Sequence, residues 1–149
     1  MFFRKSVGAV VFYRSPENKI EYLLLNHGES SRESEYWNFP KGTMEDGESE
    51  RETARREVVE ETGLANLKYL LNFRVSARYF YRYRESEAKG KLFFKTAVFY
   101  LAQAGDKNVK ISSEHVNYEW LLFAAALERV KRFKGSQRVL KKANKFLNG

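Results

Sequence analysis

The stretch GTMEDGESERETARREVVEETGL, residues 42–64, decides the fold of this chain. Ser49 is a favourable N-cap residue, and Glu52 three positions later completes a capping box, so a helix is predicted over residues 49–62. Gly63 can adopt the left-handed conformation that ends many helices, and an apolar residue follows it. The stretch therefore predicts one helix with a defined start and a defined end.

Strand and helix patterns surround this helix on both sides. Val- and Phe-rich runs bounded by turn residues predict strands, and the first two are separated by a Ser-Pro-Glu-Asn turn, which predicts a hairpin. A polar turn is expected over residues 85–90, and two C-terminal helices, 124–133 and 136–147, are separated by Gly135. Together these elements predict an α/β architecture with a mixed sheet. The predicted extended segments are residues 6–13, 20–26, 37–40, 67–84, 91–103 and 118–123.

Composition bounds the class of protein. The 149 residues are 43% hydrophobic and 31% charged, so we expect one folded domain over residues 1–149. The absence of cysteine excludes disulfides, thiolate-bound zinc and a cysteine nucleophile. No apolar run is long enough to span a membrane and the N-terminus is unlike a signal peptide, so we expect a cytoplasmic protein without a membrane partner, which we take to be monomeric. The net charge of +8 favours anionic ligands.

Three glutamates of the predicted helix, Glu57, Glu60 and Glu61, are spaced i, i+3 and i+4. They occupy an arc of roughly 100° on the helix surface, at about 100° per residue. Their carboxylates repel one another and lie near the helix C-terminus, where the macrodipole disfavours negative charge. The simplest interpretation is a solvated acidic face, but a bound Mg²⁺ would remove the conflict, with Mn²⁺ as the alternative ion, because both prefer hard oxygen ligands.

Arg56 is adjacent to this acidic cluster and can hold a carboxylate through two parallel hydrogen bonds. Glu48, just before the helix, is the expected partner of Arg56. Ala54 and Val58 lie on a different face of the helix, which is suited to packing on the sheet.

The complete pattern Gly-x5-Glu-x7-Arg-Glu-Val-x-Glu-Glu-x-Gly-Leu, residues 42–64, closely resembles the signature of the Nudix hydrolase family. The resemblance implies a loop-helix-loop held in an α/β/α sandwich. It also implies that the three glutamates bind divalent metals with the carbonyl oxygen of Lys41, and that Glu48 orients Arg56. The reaction in that family is attack of water on a phosphorus of a nucleoside diphosphate linked to another group.

Flanking residues resemble one branch of that family, the asymmetrical diadenosine tetraphosphate hydrolases. The run YWNFPKG at residues 36–42 and the later run SEH at residues 113–115 carry this resemblance. It implies that Lys41 and Lys95 contact the polyphosphate, and that Glu114 completes the metal site or acts as a base. For Lys95 and Glu114, an ordinary exposed side chain is an equally weighted alternative. Tyr36 is also expected to bind the substrate, although it departs from the pattern, because some relatives have histidine there.

Aromatic residues are the expected binding site for the base. Phe133 falls where the branch usually has an aromatic clamp, and Tyr79, Tyr81 or Tyr83 is expected on the opposite face of the base. Packing within the sheet is the alternative for at least one of these tyrosines. Trp37 fits either a pocket wall or the core. The two histidines, at positions 27 and 115, are far apart in sequence and are expected to be structural.

The expected reaction is Mg²⁺-dependent cleavage of diadenosine tetraphosphate to ATP and AMP, with Glu61 or Glu60 as the base that deprotonates water. The 5′ end of RNA is an alternative substrate, because relatives that act on it share the Trp-x-Phe-Pro run and the surface is basic. A diphosphoinositol polyphosphate is a further alternative. A binding module without catalysis is the alternative from another class, but such proteins usually lack a signature glutamate.

Overall fold

The computed structural model describes residues 2–28, 36–82, 92–113, 115 and 117–149. The predicted turn at residues 85–90 lies outside them. Within them the chain forms eight strands and three helices. The strands are β1 (Phe2–Arg14), β2 (Ile20–Asn26), β3 (Trp37–Asn38), β4 (Lys41–Thr43), β5 (Leu67–Tyr69), β6 (Val75–Arg82), β7 (Leu92–Ala104) and β8 (Asn117–Leu122). The helices are α1 (Glu50–Thr62), α2 (Phe123–Arg129) and α3 (Lys134–Asn148).

The strands form one mixed sheet whose central path runs β3-β2-β1-β7-β5. β1 and β7 are parallel neighbours, whereas every other pairing among the described strands is antiparallel. β4 pairs with β1, β6 with β7, and β8 with β2. The predicted hairpin of the first two strands and the predicted mixed sheet are therefore confirmed.

Alternation along the central strands separates two hydrophobic cores. On β1, Val7, Ala9 and Val11 point to the core that contains the apolar face of α1. Val10 and Phe12 point the opposite way, to the core that contains α2 and α3. Because successive side chains of a strand lie on opposite faces, the sheet is covered by helices on both sides, which makes an α/β/α sandwich.

Local capping chemistry places α1. The Ser49 hydroxyl accepts a hydrogen bond from the Glu52 amide at 3.1 Å, and the Glu52 carboxylate accepts one from the Ser49 amide at 3.0 Å. Gly63 ends the helix in the left-handed conformation, with φ of 68°. Ala54 and Val58 are buried against the sheet. The capping box and the glycine stop therefore follow the prediction closely.

Three predicted boundaries are wrong. The single run at residues 67–84 is divided into β5 and β6 by a turn in which Asn72 has a positive φ of 67°. Residues 130–133 do not continue α2, because Phe133 is extended and caps α3. Gly135 does not separate two helices but lies in the first turn of α3, where a glycine disturbs few helical hydrogen bonds. Among the described residues, no helix combines the length and the apolar character needed to cross a membrane.

Candidate active site

Arg56 is the centre of the acidic cluster on α1. Its guanidinium donates to both carboxylate oxygens of Glu48, at 2.6 and 2.9 Å, which is the expected two-bond pairing. It also donates to Glu57 at 2.9 Å, to Glu60 at 3.2 Å and to the carbonyl oxygen of Thr43 at 3.1 Å. One cation thus links the loop before the helix to two of the three glutamates.

Glu48 holds the loop that precedes α1. Its carboxylate accepts a hydrogen bond from the Glu45 amide at 2.9 Å and lies 3.0 Å from the Thr53 hydroxyl, in addition to its bonds with Arg56. Hydrogen bonding to Arg56 is the largest cause that lowers the pKa of Glu48 to about 2, and the bond from Glu45 adds to it. Glu48 is therefore ionised at neutral pH and serves as a fixed acceptor for Arg56.

Gly42 makes room for the carboxylate of Glu57. A Cβ atom at Gly42 would lie only 2.0 Å from the carboxylate carbon of Glu57. Any side chain at this position would therefore displace Glu57, because such a separation is well inside van der Waals contact. The first glycine of the signature is explained by this close approach of β4 and α1.

Glu61 is buried at the floor of the same region, with 6% of its surface exposed. One of its carboxylate oxygens accepts a hydrogen bond from the backbone amide of Lys41 at 2.9 Å. The other lies 3.7 Å from Nε2 of His115. The C-terminal end of α1 is in this way tied to the backbone of β4.

A cavity of ≈ 530 Å³ has Glu57 and Glu61 in its wall, together with Lys41 and Lys95. Glu60 does not line it and is directed to Arg56. Across the described parts of the chain, no three acidic or histidine side chains are preassembled around a common point. The donor set nonetheless fits a hard divalent ion, because Glu57 and Glu61 line one polar cavity that Glu45 also lines, and Gly42 leaves the space beside Glu57 open.

Lys41 and Lys95 lie side by side on β4 and β7. The pKa of Lys41 is lowered to about 7, mainly by burial and in addition by the neighbouring ammonium of Lys95. The carboxylates of Glu61 and Glu57 act in the opposite direction. Two ammonium groups held this close favour an anion between them, because an anion relieves their repulsion.

A second cavity, of ≈ 500 Å³, adjoins the first and shares Tyr36, Lys41 and Lys95 with it. Its far wall is aromatic and basic, with Tyr79 and Phe133 at its centre. The Phe133 ring meets the Tyr36 ring edge-on at 5.5 Å and the Tyr79 ring edge-on at 5.8 Å. We call the two cavities together the cleft, with a carboxylate end and an aromatic end.

Buried hydrogen bonds fix the aromatic end. The Ser136 hydroxyl donates to the side-chain oxygen of Asn38 at 3.0 Å. Its single proton is then used, so the Tyr79 hydroxyl donates to Ser136, at 3.0 Å. Burial raises the pKa of Tyr79 above its ordinary value. β3, β6 and the start of α3 are thereby joined behind the cleft.

The structure brings most of the sequence-predicted site residues to this cleft. Trp37, by contrast, is buried in the core with its ring beneath the guanidinium of Arg129 at 4.8 Å. Glu114 and Tyr83 lie outside the described residues, as does the side chain of Tyr81. The residues that line the cleft or bind its carboxylates are Glu48, Arg56, Glu57, Glu60, Glu61, Lys41, Lys95, Tyr36, Tyr79 and Phe133.

Sequence reasoning missed a histidine pair. His27 Nδ1 and His115 Nε2 are 3.2 Å apart, although 88 residues separate them in the chain. The His27 ring stacks on Tyr36 with a centroid separation of 5.4 Å, and its pKa is lowered well below the usual value, mainly by burial. The two histidines are far apart in sequence but not in space, because the pairing of β2 with β8 brings them together.

Arg132 is a second residue that the sequence did not single out. Its guanidinium carbon lies 5.8 Å from the Tyr36 ring centroid and 5.5 Å from that of Phe133. It lines the aromatic end of the cleft with Lys134. A basic residue beside Phe133 was a usable signal, because arginine stacks on aromatic rings and binds phosphates.

Comparison with known proteins agrees with the fold and the site described above. The NUDIX domain matches residues 3–142. The mouse bis(5′-nucleosyl)-tetraphosphatase [asymmetrical] is 32% identical over an alignment of 152 residues, covering 96% of this chain and 95% of the relative. The crystal structure of a C. elegans Ap4A hydrolase binary complex superposes with a TM-score of 0.79 at 28% identity, covering 98% of both chains. An RNA pyrophosphohydrolase of Bartonella bacilliformis is 38% identical over 69 residues, which is 46% of this chain and 41% of the relative.

The sandwich, the loop-helix-loop and the carboxylates that face paired lysines define a hydrolase of phosphoanhydride bonds. The chain belongs to the NUDIX family.

Proposed function

We propose that this chain hydrolyses diadenosine tetraphosphate (Ap4A) asymmetrically, to ATP and AMP, with Mg²⁺ as the metal and Mn²⁺ as an alternative. Similarity over nearly the whole chain to asymmetrical tetraphosphatases supports the choice of substrate class. We further propose that residues 1–149 act as one domain, as a monomer, in the cytoplasm.

The single observation that carries this proposal is the division of the cleft. Its carboxylate end and its aromatic end meet at Tyr36, Lys41 and Lys95. A dinucleoside polyphosphate has the matching order of groups, with a base at one end and a chain of phosphates next to it. A base stacks on aromatic rings with roughly 1–3 kcal/mol per contact, whereas phosphates need cations.

Metal binding is assigned to the carboxylate end. Glu57 and Glu61 line it, and we assign Glu60, on the same face of α1, as a further ligand. Glu114 is proposed as an additional ligand or base, and the carbonyl oxygen of Lys41 as another donor. When bound, Mg²⁺ polarises phosphoryl oxygens and lowers the pKa of a coordinated water.

The chain itself holds the proton acceptor. Glu61 is preferred over Glu60, because Glu61 faces the cavity while Glu60 is directed to Arg56. A carboxylate oxygen of Glu61 takes the proton of the water whose oxygen attacks phosphorus, and the bond to the leaving phosphate oxygen breaks. Lys41 and Lys95 stabilise the charge that develops on the phosphates. Arg56 and Glu48 keep Glu57 in position.

The aromatic end would hold the adenine nearest the cleaved bond. Phe133 and Tyr79 contact each other edge-on, and Tyr79 is hydrogen-bonded to Ser136, so they offer a fixed stacking surface. Tyr36, which replaces a histidine of some relatives, closes this surface from the side of β3. Tyr81 remains an expected contact from the same strand as Tyr79.

Removal of pyrophosphate from the 5′ end of RNA is a second candidate function. It is favoured by the basic residues Arg132 and Lys134 at the aromatic end, which is where a following nucleotide would leave the cleft. The RNA pyrophosphohydrolase relative matches less than half of the chain, so the dinucleotide is the preferred substrate.

The test is product analysis by anion-exchange chromatography with Mg²⁺, with Ap4A and 5′-triphosphorylated RNA offered separately. We expect ATP plus AMP from Ap4A and little action on the RNA. Glu61→Gln should reduce turnover by several orders of magnitude while the circular dichroism spectrum is unchanged. Preferential release of pyrophosphate from RNA would promote the second candidate. Symmetrical cleavage to two molecules of ADP, or cleavage of neither substrate, would overturn the proposal.

A further inference from the structure

The excess positive charge is confined to one end of the chain. The sequence has 27 basic and 19 acidic residues, and residues 129–149 contain eight basic residues and no acidic one. Residues 1–128 therefore carry 19 of each sign and are neutral overall. The net charge of +8 is thus a property of the C-terminal segment rather than of a generally basic surface.

The structure arranges these cations along one side of α3. Five of them are spaced i, i+4, i+7, i+8 and i+11, which places them within an arc of roughly 100° over a length of about 17 Å. All five are exposed, whereas Val139, Leu140 and Ala143 on the opposite side are buried in the core. We call this set the α3 cation stripe; it consists of Lys134, Arg138, Lys141, Lys142 and Lys145.

Nothing in the described part of the chain neutralises the stripe. Neighbouring Arg129 and Lys131 are paired with Glu119 and Glu128, each at 2.6 Å. In contrast, no carboxylate among residues 2–28, 36–82, 92–113, 115 and 117–149 lies within 4.0 Å of a stripe cation. Like charges at i, i+4 destabilise a helix, so among the described residues the stripe is an unfavourable arrangement that a bound anion would relieve.

The stripe begins at the mouth of the cleft. Lys134 lines the aromatic end together with Arg132, whose guanidinium lies over the rings of Tyr36 and Phe133. The surface therefore offers aromatic rings first and a row of cations after them. Single-stranded nucleic acids bind to this combination, because their unpaired bases stack while the backbone follows a positive track. A duplex or a membrane surface would not place unpaired bases against the rings inside the cleft.

We propose that the α3 cation stripe binds the phosphate backbone of a single-stranded nucleic acid that extends from the cleft at Lys134. The stripe spans about five nucleotides at a rise of ~3.4 Å per nucleotide. This inference goes beyond the hydrolysis of Ap4A, since binding needs neither a metal nor cleavage. Lys141, Lys142 and Lys145 lie outside the cleft, so they serve strand binding alone.

The experiment measures fluorescence anisotropy of a short labelled RNA without a 5′ phosphate, in EDTA, over a series of salt concentrations. The stripe variant carries Lys141→Gln, Lys142→Gln and Lys145→Gln. We expect its affinity to fall roughly 100-fold near 0.1 M salt, and the slope of log affinity against log salt to become shallower by about 2, because three phosphate contacts are lost.

A matched control carries Lys19→Gln, Lys68→Gln and Lys110→Gln. These three exposed lysines lie outside α3 and do not line the cleft, and the changes remove the same charge. We expect the control to bind RNA within about threefold of the wild type. Both variants should cleave Ap4A at the wild-type rate, so failure of the proposed activity and failure of this inference are distinguishable. Circular dichroism verifies that both are folded.

Three further test ligands show which kind of phosphate-bearing molecule the stripe binds. A single-stranded DNA of the same sequence tells whether the ribose matters: equal binding supports any single strand, and tighter RNA binding identifies RNA. Tighter binding of a duplex, or binding of phosphatidylserine vesicles without binding of the strand, would overturn the proposal. Equal loss of RNA affinity in the stripe and control variants would overturn it too, because charge alone would then explain the binding.

Discussion

Helices α1 and α3 each carry a row of like charges, and they differ in how that charge is neutralised. On α1, three glutamates surround Arg56, which bonds two of them and also Glu48. On α3, the cation stripe has no carboxylate partner in the described residues. The first row has its counter-charge within the chain, whereas no carboxylate counter-charge for the second lies in the part of the chain that the structure describes.

This difference in neutralisation indicates which kind of ligand each surface can bind. Hydrogen bonds hold the carboxylates of α1 in fixed positions, as a small ion with demanding coordination geometry requires. The long side chains of the stripe are exposed, and of these the Arg138 guanidinium donates a hydrogen bond to the carbonyl oxygen of Ser76. Such exposed cations suit a flexible polyanion that needs charge more than geometry. The glutamate row of α1 is therefore suited to the reaction, and the α3 cation stripe is suited to electrostatic binding of an extended anion.

The largest expected effect comes from removing the compensation on α1. In Arg56→Ala, the carboxylates of Glu48, Glu57 and Glu60 lose their common donor and repel one another. We expect kcat to fall by about 1,000-fold, because misplacement of catalytic groups by about 1 Å already costs roughly 100-fold. Steady-state kinetics with Ap4A measure the effect.

Arg55→Gln is the matched control, since Arg55 is adjacent in sequence but lies over the ring of Tyr69 at 5.2 Å, away from the cleft. Its activity should stay within about twofold of the wild type. Added Mg²⁺ should raise the melting temperature of Arg56→Ala more than that of the wild type, because an ion replaces the missing positive charge. An active Arg56→Ala protein would show that the cluster is not held by this cation.

Gly42→Ala tests whether the position of Glu57 matters independently of charge. The new Cβ would lie 2.0 Å from the Glu57 carboxylate carbon, so this side chain must move while the net charge stays the same. We expect turnover to fall by about 100-fold. Thr43→Ala at the next residue is the control, because it keeps the carbonyl oxygen that accepts a hydrogen bond from Arg56, and it should be nearly silent. Equal activity of both variants would mean that Glu57 has no fixed role.

The contrast also shows which features a sequence reveals. α1 was predicted almost to the residue, because the Ser49–Glu52 capping box and Gly63 act within a few positions. The acidic row and Arg56 lie on that same short segment, so spacing alone located the carboxylate end of the cleft. The charge segregation on α3 was equally readable from the sequence, but its spatial continuity with the cleft required the fold.

Long-range contacts explain what was not predicted. The pair His27 and His115 depends on β2 meeting β8, and no local signal encodes that pairing. The division of residues 67–84 into β5 and β6 depends on one left-handed residue, Asn72, within an otherwise strand-like run. Gly135 was expected to separate two helices, but it lies in the first turn of α3, where a glycine disturbs few helical hydrogen bonds.

At the N-terminal end of α1, the pH dependence of stability gives a smaller test of how a carboxylate is stabilised by neighbouring cations. Glu50 accepts hydrogen bonds from Lys5, Arg74 and Tyr100 at 2.5–3.1 Å, and these bonds, chiefly that from Arg74, lower its pKa from 4.5 to about 2. Because the folded-state pKa is lowered, the stabilisation is fully present above about pH 4.5 and is lost as pH falls towards about 2.

Replacing the Glu50 carboxylate by an amide should remove this pH dependence of the stability. In Glu50→Gln, we expect the free energy of unfolding to fall by about 1 kcal/mol near pH 7 after allowance for solvent screening, and by much less near pH 3. Urea denaturation at both pH values measures the difference. Glu17→Gln, in the exposed turn after β1, is the control and should leave both values unchanged. A loss that is the same at both pH values would show that Glu50 stabilises the fold by packing rather than by charge.

The smallest expected effect is a gain in stability on α3. Lys141→Glu places a carboxylate between Arg138 and Lys145, at i−3 and i+4, so two repulsive neighbours become attractive at about 0.2–0.5 kcal/mol each. Urea denaturation at low salt should show a gain of about 0.5 kcal/mol that disappears near 1 M salt, and Lys68→Glu on β5 should show none. A gain that persists at high salt would point to helix propensity instead, although lysine and glutamate differ little in that respect. If the gain is found and RNA affinity falls in the same variant, the stripe is a feature that costs stability and serves binding, which is the opposite of the internally neutralised row on α1.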